Sequence, residues 1–198
     1  MKYPAHLLKL ISVLKRLPGV GNKSAERYAF QLLTWSPEIL REMAHIIQEV
    51  PTRLRHCSEC GCLRGEDACS LCDERRAATQ KICVIASPRD AFAIESTQEY
   101  RGLYHVLGAT LSPLQGMDAE QLLLHKLIER IQRHQITEVV IALDSTIEGD
   151  ATALYIRQEL EPLKIKVTRL AFGLPMGSSL DYVDGGTLAR AFSARNIY

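Results

Sequence analysis

Cys57-Ser-Glu-Cys60 and Cys69-Ser-Leu-Cys72 place two Cys-x-x-Cys pairs on either side of an eight-residue loop. Each pair closes a tight turn that aims two sulfurs at one point. Four thiolates gathered in this way complete a tetrahedral zinc shell with no open position. Between them the stretch has few core formers beyond Leu63 and Leu71. Bound metal would then supply its folding free energy, on the order of 10 kcal/mol for structural zinc sites. Two disulfides or a redox pair would use the same residues. The chain carries no secretory features, however, and a redox pair needs no twin. A closed four-sulfur site braces structure and does no chemistry. Cys62 could enter the shell only by distorting the Cys57–Cys60 turn. Cys83 sits in an apolar run and reads as a small core residue. None of the six histidines shows metal spacing, although His56 lies directly beside Cys57.

A second group is Leu17-Pro18-Gly19-Val20-Gly21-Asn22-Lys23-Ser24, set between two helical patterns. A nucleotide P-loop is excluded: Asn22 separates Gly21 from Lys23, position 16 is Arg, and a helix precedes the loop where a strand is needed. A helix-hairpin-helix fits instead. Gly19 and Gly21 let the turn approach a DNA backbone, and the first amides of the next helix point at a phosphate. Lys23 and Arg27, four apart, project away from the Ala25/Ala29 face, and Lys15 and Arg16 flank the turn. Contacts of this kind grip backbone rather than bases, so binding should be sequence-independent and salt-sensitive. A plain αα-hairpin with solvating charges is the alternative.

The third group is acidic. Asp144-Ser-Thr-Ile-Glu148-Gly-Asp150 follows a strand-like run at the point where open α/β sheets place their sites. Its spacing resembles the Toprim signature of topoisomerases and primases, in which a Glu ending the first strand joins clustered acids to hold Mg²⁺. Here the first-strand position is Ala86, and the second acid of an Asp-x-Asp pair falls on Thr146. A two-metal clamp needs several converging carboxylates. Asp144, Glu148 and Asp150 therefore suit a weak Mg²⁺ site, an acidic docking surface for a basic partner, or simply a capped turn.

These groups need elements to hold them. Three amphipathic helices precede the cysteines. The first follows Pro4 and carries Leu7, Leu10, Ile11, Leu14 and Leu17. The second places Ala25, Ala29, Leu32 and Leu33 on one face. The third starts at Ser36-Pro37-Glu38 and carries a stripe of Ile39, Leu40, Met43, Ile46, Ile47 and Val50 that stops at Pro51. Beyond Cys72, apolar strands at 81–86, 103–109, 138–143 and 165–171 alternate with helices at 88–98, 118–134 and 149–160. Asp118 caps the second of these, with Gln121 three residues on. Such alternation of nearly all-apolar strands with helices indicates a parallel sheet covered on both faces. A glycine-rich tail ends in a short helix from about Thr187. The division expected is 1–55, 56–79, 80–172 and 173–198: a helix-hairpin-helix region, a zinc knuckle, an α/β domain and a C-terminal tail.

The 198 residues are 46% hydrophobic and 24% charged, ordinary for a globular protein. No apolar run approaches membrane-spanning length, and a reducing cytoplasm is the expected compartment. The formal charge of +1 hides an asymmetry. Residues 1–56 carry nine Lys/Arg against four Glu, a net of +5, which leaves −4 for the remainder. An anionic partner, nucleic acid foremost, should meet the N-terminal end.

The order of motifs is more specific than any one of them. Leu-Pro-Gly-Val-Gly-x-Lys-Ser-Ala-x-Arg, the four cysteines and Ile82-Cys-Val-Ile come first. Tyr-x-Gly-x-Tyr-His-Val-Leu at 100–107, Leu-Ser-Pro-Leu-x-Gly at 111–116, Glu148-Gly-Asp-Ala-Thr and Arg-Leu-Ala-Phe-Gly-Leu-Pro-Met-Gly at 169–177 follow. Across the whole chain this resembles the RecR family of bacterial recombination mediators. The resemblance implies an α/β protein of several parts with a Toprim domain, assembled as a ring-like homotetramer able to encircle DNA. It implies work with RecO and RecF to load recombinase on gapped DNA, with DNA met by Lys23 and Arg27 and RecO by the face near Glu148. The mediator role is not enzymatic. Ala86 stands where many relatives have Glu, which counts against Toprim Mg²⁺ binding and not against the mediator role. The competing reading is a Mg²⁺-dependent nuclease or topoisomerase-like enzyme using Asp144, Glu148 and Asp150, with Tyr155 the one nearby nucleophile.

Overall fold

A computed structural model describes residues 3–112, 122, 124–171 and 173–195. The chain divides into two compact units, 1–54 and 55–198.

The first unit is three helices: α1 (Ala5–Leu14), α2 (Asn22–Leu32) and α3 (Pro37–Arg53). Its fully buried residues, among those described, are Ala25 and Ala29 on α2. Tyr3 packs edge-on against Phe30, ring centroids 5.7 Å apart, and its hydroxyl donates to the Glu26 carboxylate. Leu33 departs from expectation: it lies past the end of α2 and is 64% exposed. In α3 the Ser36 hydroxyl accepts from the Ile39 amide at 3.5 Å. The helix does not stop at Pro51 but runs to Arg53. A proline in the last turn forfeits one backbone bond, while the Leu54 amide still reaches the Val50 carbonyl at 3.0 Å. The α3 stripe is open, with Ile46 56% and Ile47 58% exposed. The periodicity marks the apolar face, but a unit with so small an interior has nothing to lay against it.

In the second unit, β1 (Arg55–His56) pairs antiparallel with β2 (Leu63–Arg64), with His56 opposite Leu63. A 3₁₀ turn at Ser70–Cys72 leads to α4 (Glu74–Ala77), capped by Asp73. The sheet follows: β3 (Lys81–Ile85), α5 (Pro88–Glu95), β4 (Leu103–Val106), α6 (Leu124–Arg133), β5 (Glu138–Ala142), α7 (Ile147–Leu160), β6 (Lys166–Arg169) and finally α8 (Gly185–Ser193). All four strands run parallel in the order β4-β3-β5-β6, with Cys83 between Tyr104 and Val140. No described helix is long and apolar enough to cross a membrane.

Alternation along the strands divides the interior in two. Ile82, Val84, Leu103, Val139 and Ile141 meet Leu127 and Ile131 of α6 and Ile156 and Leu160 of α7. Cys83, Ile85 and Tyr104 face the other way, toward Ala91 of α5 and the cysteine knuckle with Leu71. The knuckle thus serves as part of a covering layer. Two strands are shorter than their apolar runs suggest: β4 ends at Val106, and β6 is only partly buried, as an edge strand with Lys166 and Arg169 at its ends must be. The expected cap at Asp118 with Gln121, and positions 113–116, lie outside the described residues; the described part of that helix begins at Leu124.

Candidate functional sites

The four cysteines of the two pairs meet. One ligand atom from each of Cys57, Cys60, Cys69 and Cys72 lies within 4.8 Å of the others, and Cys62 is not in the group. Cys57 Sγ is 3.9 Å from Cys72 Sγ, and Cys60 Sγ is 3.7 Å from Cys69 Sγ. A tetrahedral shell with zinc–sulfur bonds of about 2.3 Å has sulfur–sulfur edges of about 3.8 Å. A disulfide would need about 2.05 Å. The donor set and its spacing fit a structural metal ion. Cys62 serves the turn: its carbonyl accepts from the Cys57 amide at 2.8 Å, and the Gly61 amide donates to the Cys57 carbonyl at 2.9 Å. His56 points Nδ1 at the Gly61 carbonyl, 3.1 Å away. Cys83 is buried, and desolvation pushes its thiol up to about 12, which keeps it protonated and inert.

The hairpin presents its cations to solvent. Lys15, Arg16, Lys23 and Arg27 are all exposed, and the Arg27 guanidinium lies 5.5 Å from the centre of the Tyr28 ring. Gly19 takes φ +79°, a left-handed conformation that an L side chain resists. Nothing lies within 4 Å of where a Cβ would stand on Gly19 or Gly21, so the turn surface is open to a close ligand. Gly21 caps α2 with no side-chain hydrogen bond. The first amides of α2 are therefore not occupied by a capping side chain, and the positive end of the helix dipole is uncovered.

The acidic turn is built differently from a metal clamp. The Thr146 hydroxyl accepts from the Gly149 amide at 3.1 Å, so the position of the missing second acid is the N-cap of α7. Gly149 has no room for a side chain, since a Cβ there would stand 2.0 Å from the Asp144 carbonyl oxygen. Asp150 accepts from Arg169 at 2.6 Å and from Arg190 at 2.8 Å. The Arg169 hydrogen bond, followed by that of Arg190, holds its carboxyl below the usual aspartate range. Arg190 also donates to the Ser145 hydroxyl at 2.6 Å, which ties α8 to the turn. Asp144 and Glu148 remain exposed, with Ile147, 84% exposed, beside Glu148. Tyr155 is partly buried against the α6/α7 side of the sheet. Arg169 and Arg190 were not among the sequence candidates; they lie 19 and 40 residues from Asp150, and no local pattern links them.

Comparison with known proteins extends over the same elements. Family models described as "RecR, helix-hairpin-helix", "Toprim domain" and "RecR, C-terminal" match residues 7–50, 80–171 and 173–196. Recombination protein RecR of Protochlamydia amoebophila (strain UWE25) is 59% identical over 198 residues, covering all of both chains. The chain belongs to the RecR family. Two further RecR proteins align with the whole chain over their own full length. That of Chlamydia abortus (strain DSM 27085 / S26/3) is 48% identical over 202 residues, and that of Chlamydia trachomatis serovar D is 47% identical over 200. Membership in the RecR family accounts for the order of the parts: helical hairpin, cysteine cluster, parallel sheet and C-terminal helix.

Proposed function

We propose that this chain is a DNA-binding recombination mediator of the cytoplasm that holds gapped DNA by its backbone and does not cut or join it. The observation that carries the reading is the hairpin: a glycine turn open on its surface, an uncapped helix start, and four exposed cations on and around it. Lys15, Arg16, Lys23 and Arg27 are the proposed phosphate contacts. The +5 charge of residues 1–56 would draw DNA to that end. Whole-length identity to proteins named for recombination supports a role in recombinational repair.

The metal is proposed to be Zn²⁺, one per chain, cross-linking the knuckle and taking no part in a reaction. At the acidic turn a docking role is favoured over Mg²⁺ catalysis. Ala86 supplies no carboxylate, Thr146 caps a helix, and two arginines already occupy Asp150. Asp144 and Glu148, with Ile147, are left as the surface for a basic partner, which we assign to RecO, with RecF acting alongside to load recombinase. Assembly into a homotetrameric ring is part of the proposal. The open α3 stripe and the exposed Leu180, Tyr182 and Phe192 of the tail are apolar surface that subunit contacts would cover. Solution mass tests this part: four times the 22.2 kDa of one chain is expected, and a monomer mass at assay concentration contradicts it. The mediator reading itself is tested by whether bound gapped DNA comes back with its strands intact.

A further inference from the structure

Arg130 of α6 is 2% exposed, and an arginine that buried needs an anion or a full set of acceptors. It has neither in the ordinary form. Its Nη1 donates to the Tyr104 carbonyl at 2.6 Å and lies 3.2 Å from His105 Nδ1. Its Nη2 is 4.0 Å from Cys72 Sγ. Its Nε is the one buried side-chain nitrogen or oxygen among the described residues without a partner. No carboxylate among those residues stands within ion-pair distance of it. Arg76 offers the contrast, since it likewise donates to a backbone carbonyl, that of Gly102 just before β4, but carries the Glu95 carboxylate as its counter-ion.

The histidine does not supply the missing charge. An imidazole is neutral or cationic and never an anion, so the buried His105 offers Arg130 an acceptor at most. Glu59 and Glu129 line a cleft with Arg130 but form no ion pair with it, and the negative charge that its Nη2 faces would be the cysteine cluster once it holds metal. A divalent ion in four thiolates leaves a net charge of −2 in a partly buried place, and that charge also needs compensation.

We infer that Arg130 is the outer-sphere counter-ion of the four-cysteine metal centre, pairing with the thiolate of Cys72 across the outer edge of β4. The geometry gives this pairing a consequence for the fold. The same edge of β4 is closed by the Val106 amide donating to the Cys60 carbonyl at 2.8 Å. Arg130 thus joins α6, the β4 backbone and the metal shell at one point, and Arg133 one turn-position on adds an exposed pair to Glu59 at 2.8 Å. Outer-sphere partners orient ligands and offset their charge, and losing one typically costs about 10- to 100-fold in metal affinity. Arg130 acts as a positioning residue.

The inference rests on the metal assignment, and the test separates the two. Wild type, Arg130→Met, Arg130→Lys and Arg133→Met are loaded with cobalt(II), and the thiolate-to-cobalt absorption and chelator competition are followed. Arg130→Met should bind about 10- to 100-fold more weakly, with its charge-transfer band displaced. Arg130→Lys, which keeps the charge and loses the fork, should fall between, and Arg133→Met should match wild type. Wild-type cobalt affinity in a folded Arg130→Met overturns the inference and leaves the metal site standing; no cobalt binding by wild type overturns both. Should Arg130→Met not fold, hydrogen exchange of the wild-type chain decides. Chelation should lower protection in 124–133 along with the knuckle while 166–169 keep theirs. Unchanged protection in 124–133 contradicts the pairing.

Discussion

Removing the metal, by chelator or by Cys60→Ser, should lower the thermal midpoint by about 7–13 °C. Structural zinc contributes on the order of 10 kcal/mol to the fold that holds it. If only about a third of that appears as lost stability, a chain of this size loses about 2–4 °C for each kcal/mol. The loss should not stay in the knuckle. Cys57, Cys60, Cys62 and Leu71 pack with Cys83, Ile85 and Tyr104 on one side of the sheet, so opening the shell uncovers that face. Calorimetry with and without chelator checks the size of the effect. Cys83→Ala is the control, because that thiol sits in the core and outside the metal group; it should bind one equivalent of zinc as wild type does. Equal midpoints for metal-loaded and metal-stripped protein would remove the cluster from the stability of the fold.

The second large effect belongs to the hairpin. Replacing Lys23 and Arg27 together by alanine should weaken DNA binding about 10- to 100-fold, by the same factor for unrelated sequences. Each lost phosphate contact should reduce the slope of log affinity against log salt by about 0.9, so each hairpin engaged loses about 1.8. Folding should be unaffected, since both side chains are exposed and the packing of α2 rests on Ala25 and Ala29 on the other face. Fluorescence anisotropy across a salt series reads affinity and slope together. A sequence-dependent loss would move the contacts from phosphates to base edges.

How far the chain could be understood in advance follows from the range of each interaction. The four-cysteine cluster was legible because a Cys-x-x-Cys turn is fixed by its own few residues. The strands were legible because burial on both faces leaves near-continuous apolar runs. The hairpin was legible because its glycines and cations fall within about a dozen positions. Distant partners left no such mark. Arg130 meets Cys72 across 58 residues, and Asp150 meets Arg190 across 40. A lone arginine in an amphipathic helix such as α6 reads as a solvated charge until the fold brings it inside. The α3 stripe was legible as a stripe, yet periodicity marks a face and not what covers it. The β1–β2 pair was missed for a related reason: two residues per strand are too few to show a period.

This molecule is proposed above all to hold DNA by its backbone without breaking it. End-labelled gapped DNA, titrated with metal-loaded protein in Mg²⁺ at low salt, tests this on one set of samples. Native gels report binding and denaturing gels report strand length. The expected result is a salt-sensitive complex whose strands all run at full length. Shortened strands that appear with wild type and vanish with Asp144→Asn would contradict it.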